Sequence, residues 1–149
     1  MRCPFCLNEE SKVIDKRDAG DVEVVRRRRE CLKCEKRFTT YERVEIDLRI
    51  LKKDGRRETY SREKLKQGIV KSCEKRPVSA EKIDEMINRI EVMLKGKASE
   101  EVSSSLIGEL TMRELKKVDK VAYIRFASVY KDFADAESFA KELKLLVKA

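Results

Sequence analysis

The chain has no histidine, no stretch of 18 apolar residues and no glycine-rich loop closing on Gly-Lys-Ser or Gly-Lys-Thr. Each absence removes a class of function. Without histidine the commonest general base is gone, and with it the Ser-His and Cys-His pairings of nucleophilic catalysis, so an enzyme is not expected. Without the glycine loop, a P-loop nucleotide hydrolase is not expected either. Without a long apolar run there is no candidate membrane helix, and Met1-Arg2-Cys3 leads straight into a cysteine pair rather than a signal sequence. A soluble, cytoplasmic protein is therefore expected. No internal repeat and no low-complexity tail interrupts the chain.

Cysteine is scarce but concentrated, with four of the five in the first 34 of 149 residues. Cys3-Pro4-Phe5-Cys6 and Cys31-Leu32-Lys33-Cys34 form two Cys-x-x-Cys pairs separated by 24 residues. Each pair can turn two sulfurs toward one tetrahedral ion. In a reducing compartment such spacing favours a metal over disulfides. Four thiolates close the coordination sphere, so the metal is expected to be structural, one Zn2+ per chain. Iron, as in a rubredoxin-like electron carrier, accepts the same ligands, and reduced structural cysteines are the plainer alternative. A module of about 45 residues rarely builds a sufficient core, which is the physical reason to expect ligands here. Cys73 falls on an apolar helical face and reads as a core residue.

Charge is plentiful, at 43% of residues, with a net +8 that suggests a polyanionic partner although 28 acids are interspersed. Between Val24 and Arg43 stand eight cations, Arg26, Arg27, Arg28, Arg29, Lys33, Lys36, Arg37 and Arg43, against three acids. Such a run is often only a solvated surface. Here it lies inside a candidate metal module, and arginine's planar fork suits phosphates and guanine edges. On a strand, Arg26 and Arg28 would share one face and Arg27 and Arg29 the other, so one pair could meet DNA. Arg37 and Tyr41 follow on the next extended segment.

The period of the apolar residues changes near Val44 to Leu48, which predicts two domains, 1–45 and 46–149. Strands are expected at Lys12–Asp15, Val22–Glu30 and Arg37–Tyr41, with a turn at Asp18–Asp21. A hairpin is expected from Leu48 to Tyr60, closed at Asp54-Gly55 by a tight primed turn. Ser61 should cap a helix to Lys75, with Leu65, Ile69, Val70 and Cys73 facing inward and Pro77 stopping it. Ser79 should cap a second through Leu94, ended by Gly96. A third carries Leu106, Ile107, Leu110 and Leu115. Asp119 should cap a fourth with Ala122, Phe126, Val129, Tyr130 and Phe133 on its stripe, and 136–147 reads as a last helix. The fold class is thus α+β, a small β-rich module followed by a mainly helical domain with an N-terminal hairpin.

Several segments together carry a family resemblance: Cys3-Pro4-Phe5-Cys6, Lys12-Val13-Ile14-Asp15, Val25 through Cys31, Arg37 through Glu42, Glu74 through Ser79, and Lys120 through Tyr130. They resemble the NrdR family of bacterial ribonucleotide reductase repressors over essentially the whole chain. That resemblance implies a DNA-binding zinc ribbon joined to an ATP-cone that binds ATP or dATP and forms homo-oligomers. It implies Cys3, Cys6, Cys31 and Cys34 as zinc ligands. It implies Arg26, Arg27, Arg28, Arg29, Arg37 and Tyr41 as contacts to double-stranded promoter operators. In the cone it implies Lys52 and Lys53 at the phosphates, Glu58 and Lys64 nearby, and Tyr123 and Tyr130 from the fourth helix. Lys53 stands where the family often has arginine, and Thr59-Tyr60 replaces a frequent Pro-Phe pair. A scaffold for protein partners is the reading that competes with a repressor.

Overall fold

A computed structural model describes residues 1–18, 24–97 and 100–148, and the chain divides into two compact units, Met1–Glu45 and Ile46–Ala149. The fold is α+β, a β-rich unit followed by a mainly helical one. No helix among the described residues is long and apolar enough to cross a membrane.

The first unit is an antiparallel sheet in the order β1 (Ser11–Asp18), β2 (Val24–Cys31), β3 (Arg37–Arg43). The expected turn at Asp18–Asp21 and the expected strand start at Val22 lie outside the described residues, apart from Asp18, which ends β1. β1 runs longer than Lys12–Asp15 because a bulge absorbs Ile14: Val13 pairs with Arg29 and Asp15 with Arg28. The core of this unit is little more than Cys3, Cys31 and Phe38, with Cys6 and Cys34 packed beside them. Burying so few side chains cannot offset the ordering of so many residues.

The second unit opens with the hairpin of β4 (Arg49–Leu51) and β5 (Arg57–Thr59). Its turn differs from the primed turn that Asp-Gly suggests. Gly55 N–H donates to the Lys52 carbonyl at 3.0 Å, and of the turn residues Gly55 has the positive φ, +84°. That is a three-residue loop in which glycine takes the left-handed position after an ordinary turn. The sequence pattern missed β6 (Glu101–Ser103), which pairs parallel to β4, with Ile50 opposite Val102. Three residues carry too little alternation to announce a strand.

Five helices complete the unit: α1 (Arg62–Ser72), α2 (Ala80–Lys95), α3 (Ser104–Val118), α4 (Lys120–Tyr130) and α5 (Ala136–Lys148). The caps fall where local chemistry puts them, with Ser61, Ser79 and Asp119 oxygens each accepting the N–H three residues on. Ile83, Met86, Ile87, Ile90 and Leu94 line one face of α2 and are buried, each contributing about 1.5–3 kcal/mol. Three details depart from the pattern. α1 stops at Ser72, well short of Pro77, because the Arg125 guanidinium on α4 takes the Glu74 carbonyl at 2.6 Å while Lys75 turns to φ +58°. Val70 and Val129, expected on the apolar faces, are exposed, Val129 at 84%. Gly96 ends α2 with an ordinary φ of −67°, so its freedom is not used.

Arg76 ties the loop after α1 to the start of α4, its Nε lying 2.9 and 3.1 Å from the two oxygens of nearly buried Asp119. The Arg76 hydrogen bond, aided by the cap on Ala122, holds the Asp119 carboxyl below its ordinary range. A depressed pKa contributes stability above the ordinary carboxylate value and loses it as pH falls through the folded one. Arg76→Ala should therefore lower cone stability by about 2 kcal/mol at neutral pH. The gap between variant and parent should close below about pH 4, where the unfolded carboxylate begins to bind its proton. Denaturant titrations at several pH values test this, and a gap constant down to pH 2 would assign the effect to packing.

Candidate metal centre, basic face and nucleotide cleft

The two cysteine pairs adopt one local geometry twice. Leu7 N–H donates to the Cys3 carbonyl at 2.9 Å, and Glu35 N–H to the Cys31 carbonyl at 3.1 Å. Leu7 and Glu35 then turn the chain with φ of +61° and +57°. Each first cysteine receives a backbone N–H two residues on, Phe5 to the Cys3 sulfur and Lys33 to the Cys31 sulfur, both at 3.4 Å. The four sulfurs converge within 4.8 Å of one another, with Cys3 to Cys34 at 3.7 Å and Cys6 to Cys31 at 3.6 Å. A disulfide is about 2.05 Å. Ligands about 2.3 Å from a tetrahedral zinc stand about 3.8 Å apart. The observed spacing thus fits a metal and not a bond.

Electrostatics point the same way. The Cys34 N–H lowers the Cys31 thiol to about 6. Cys34 is pushed up to about 12 despite the Lys36 N–H, because burial and the neighbouring sulfurs oppose a second charge. Four packed thiolates need a cation among them.

On β2 and β3 the register sorts the arginines. Arg26 pairs with Tyr41, Arg28 with Thr39 and Glu30 with Arg37, so these share one face with Lys12, Asp15 and Arg17 of β1, where Asp15 is taken by Arg17 at 3.0 Å. Arg27 and Arg29 share the other face with buried Phe38 and with Thr40. They are held there: Arg27 reaches Glu42 at 3.0 Å, and Arg29 reaches Thr40 at 3.2 Å. Arg37 is tied to Glu30 at 2.9 Å. Arg26 has no acidic partner among the described residues, and Arg28 donates only to the Thr39 hydroxyl at 3.0 Å. Tyr41 is half exposed, with the Arg43 guanidinium 5.1 Å from its ring centre. The face with Arg26, Arg28 and Tyr41 is the one whose cations are available.

In the second unit, β4, β5, α1, α3 and α4 surround a cleft of about 220 Å³. Lys52, Glu58 and Lys64 line its polar side, and Glu58 lies 3.5 Å from the Lys52 ammonium and 3.4 Å from that of Lys64. Lys64, then Lys52, keep the Glu58 carboxyl below its ordinary range. Opposite them Phe126 and Tyr130 stack at 5.7 Å and form an apolar wall. The Tyr130 hydroxyl donates to the Ser104 carbonyl, and burial raises its pKa. Two residues from the sequence set do not line the cleft. Lys53 sits at its rim, reaching Asp132 at 3.0 Å with its ammonium 6.0 Å from the Tyr130 ring centre, and Tyr123 is buried, donating to Glu142 of α5. The pattern gave no hint of Ser104, Ile107 and Gly108, which line the cleft, because α3 is brought there by β6.

The four-cysteine ribbon and the helical domain with its cationic, aromatic-walled cleft are two binding modules in one chain. Comparison with known families agrees. Residues 1–42 match the Transcriptional repressor NrdR-like N-terminal domain and residues 48–136 the ATP cone domain. Relatives named Transcriptional repressor NrdR include one from Myxococcus xanthus, 56% identical over 150 residues covering 100% of this chain and 89% of its own. One from Petrotoga mobilis is 54% identical, covering 98% of each chain, and one from Clostridium perfringens is 50% identical, covering 99% and 100%. The chain belongs to the NrdR family of transcriptional repressors. Its four-cysteine ribbon supports a structural zinc, and its cone supports nucleotide binding.

Proposed function

We propose that this chain represses ribonucleotide reductase genes when its cone holds dATP, and releases them when ATP takes its place. Cys3, Cys6, Cys31 and Cys34 hold one zinc ion, which fixes the ribbon and takes no part in chemistry. Arg26 and Arg28, with Tyr41 beside them, meet operator DNA, while Arg27, Arg29 and Arg37 brace the sheet. Lys52 and Lys64 hold the nucleotide's phosphates, with Glu58 positioning both ammonium groups, and Tyr130 walls the site. Lys53 acts from the rim of the cleft, over Tyr130, and Tyr123 from outside it. The observation that carries this reading is the cleft, where two cations share one carboxylate opposite an aromatic wall.

One ribbon covers little DNA, so homo-oligomers that hold two or more at operator spacing gain affinity through effective concentration. A nucleotide that binds one assembly more tightly than another shifts the population between them. Titrating a labelled ribonucleotide reductase promoter fragment at fixed salt, with ATP or dATP and with the assembly's mass recorded, tests the switch. Tighter binding with dATP and a matching change in mass is expected. Binding indifferent to nucleotide would refute it, and no binding in any state would favour a scaffold for protein partners.

Arg26→Ala should weaken operator binding with zinc content and nucleotide affinity unchanged. If Arg26 grips a phosphate, the slope of log affinity against log salt should fall by roughly 0.9. An unchanged slope with relaxed sequence preference would assign it to a base edge.

A further inference from the structure

The last helix presents two stripes, and the chain's own fold covers one of them. Phe139, Glu142 and Leu146 of α5 face inward: Phe139 packs edge-on against Phe133 at 5.3 Å, Glu142 accepts from Tyr123 and Lys131, and Leu146 is 5% exposed. About 100° further around the helix, Ala136, Ala140 and Val147 are exposed, Val147 at 80%, and Leu143 is 37% exposed. Their spacing of four, three and four residues is the a/d seam of a coiled coil rather than the broad stripe of a core helix.

We infer that this seam pairs antiparallel with the same seam of a second copy of the chain. Two observations select that occupant. In the antiparallel register Ala136 lies opposite Val147 and Ala140 opposite Leu143, so small meets large along the whole contact. A parallel pair would set alanine on alanine and leave the amino-terminal half open. Charge agrees, because Glu137, which also reaches Lys141 of its own helix at 3.4 Å, and Lys144 flank the seam on one side, and the antiparallel register joins them twice across the two-fold axis. A parallel pair would put Lys144 against Lys144.

The contact spans only 13 residues, less than the roughly 800 Å² per partner of a stable interface. A weak contact of this kind suits assemblies that exchange with nucleotide occupancy. The pairing rests on the reading above that copies of the chain assemble.

Sedimentation of the zinc-loaded full chain with ATP and with dATP tests it. Leu143→Glu should weaken self-association at least about tenfold, the loss of one central anchor, with helicity unchanged because Leu143 takes no part in the unit's core. Glu137→Lys and Lys144→Glu should each weaken it, and the two together should restore it by reversing the ion pair. Leu143→Glu assembling like the parent, or a double exchange that restores nothing, overturns the α5 pairing and leaves the nucleotide switch standing. A parent chain that stays monomeric with either nucleotide overturns both.

Discussion

Replacing Cys31 by serine is expected to unfold the first unit and abolish operator binding while leaving the cone intact. The first unit buries Cys3, Cys31 and Phe38 and little else, so its strands have no apolar core to fall back on. Four-thiolate zinc sites contribute roughly 10–16 kcal/mol of apparent binding energy at neutral pH, which becomes folding energy when no site exists beforehand. A serine hydroxyl is not ionised at this pH and does not replace a thiolate ligand. The cone keeps its own core around Ile69, Met86, Ile87, Ile90 and Leu115, all fully buried. Amide spectra should then show β1, β2 and β3 collapsing to random-coil positions with the helical unit unmoved. Metal analysis should show loss of zinc, operator affinity should fall at least about a hundredfold, and nucleotide affinity should hold within about twofold. A dispersed ribbon spectrum without zinc would show that the sheet stands without the metal. The purified parent should be colourless, since visible absorbance would indicate iron.

Adding one methyl group at Gly108 is expected to disable the nucleotide cleft. A β-carbon there would lie 1.9 Å from Cζ and 2.0 Å from Cε1 of Tyr130. No flexible chain end absorbs that overlap, so the ring must leave α3, breaking its bond to Ser104 and its stack on Phe126. Alanine favours a helix over glycine by about 1 kcal/mol, yet overpacking costs about 1–3 kcal/mol, so Gly108→Ala should be mildly destabilising. The larger effect falls on the ligand, with ATP and dATP binding weakened at least about tenfold by calorimetry. Tyr130→Phe keeps the ring and loses only the hydroxyl, so it should bind more tightly than Gly108→Ala. Equal affinity for the parent and a folded Gly108→Ala would show that Tyr130 does not wall the site.

Much of this was legible because it depends on neighbours in the chain. Cysteine spacing implied a four-sulfur cluster, and Ser61, Ser79 and Asp119 announced helix starts through their own side chains. Period and turn chemistry then separated a β-rich unit from a helical one. The alternation of Arg26 to Arg29 showed two faces without saying which was free. That choice waited on β3, which sets Phe38 against one pair and Tyr41 against the other.

The sequence by itself determined the modules, the metal-ligating residue types and most helix boundaries, since these follow from spacings of two to four residues and from local hydrogen bonds. Only the tertiary structure decided which lysine faces the cleft, why α1 stops at Ser72, and that Gly108 must stay bare beneath Tyr130. Lys52 and Lys53 are identical side chains one residue apart, and the turn that follows β4 sends one to Glu58 and the other to Asp132. Gly108 and Tyr130 lie on different helices, and no local rule relates residues that meet only when β6 brings α3 to the hairpin. Contacts distant in sequence follow from how whole elements pack, which short-range pattern does not encode.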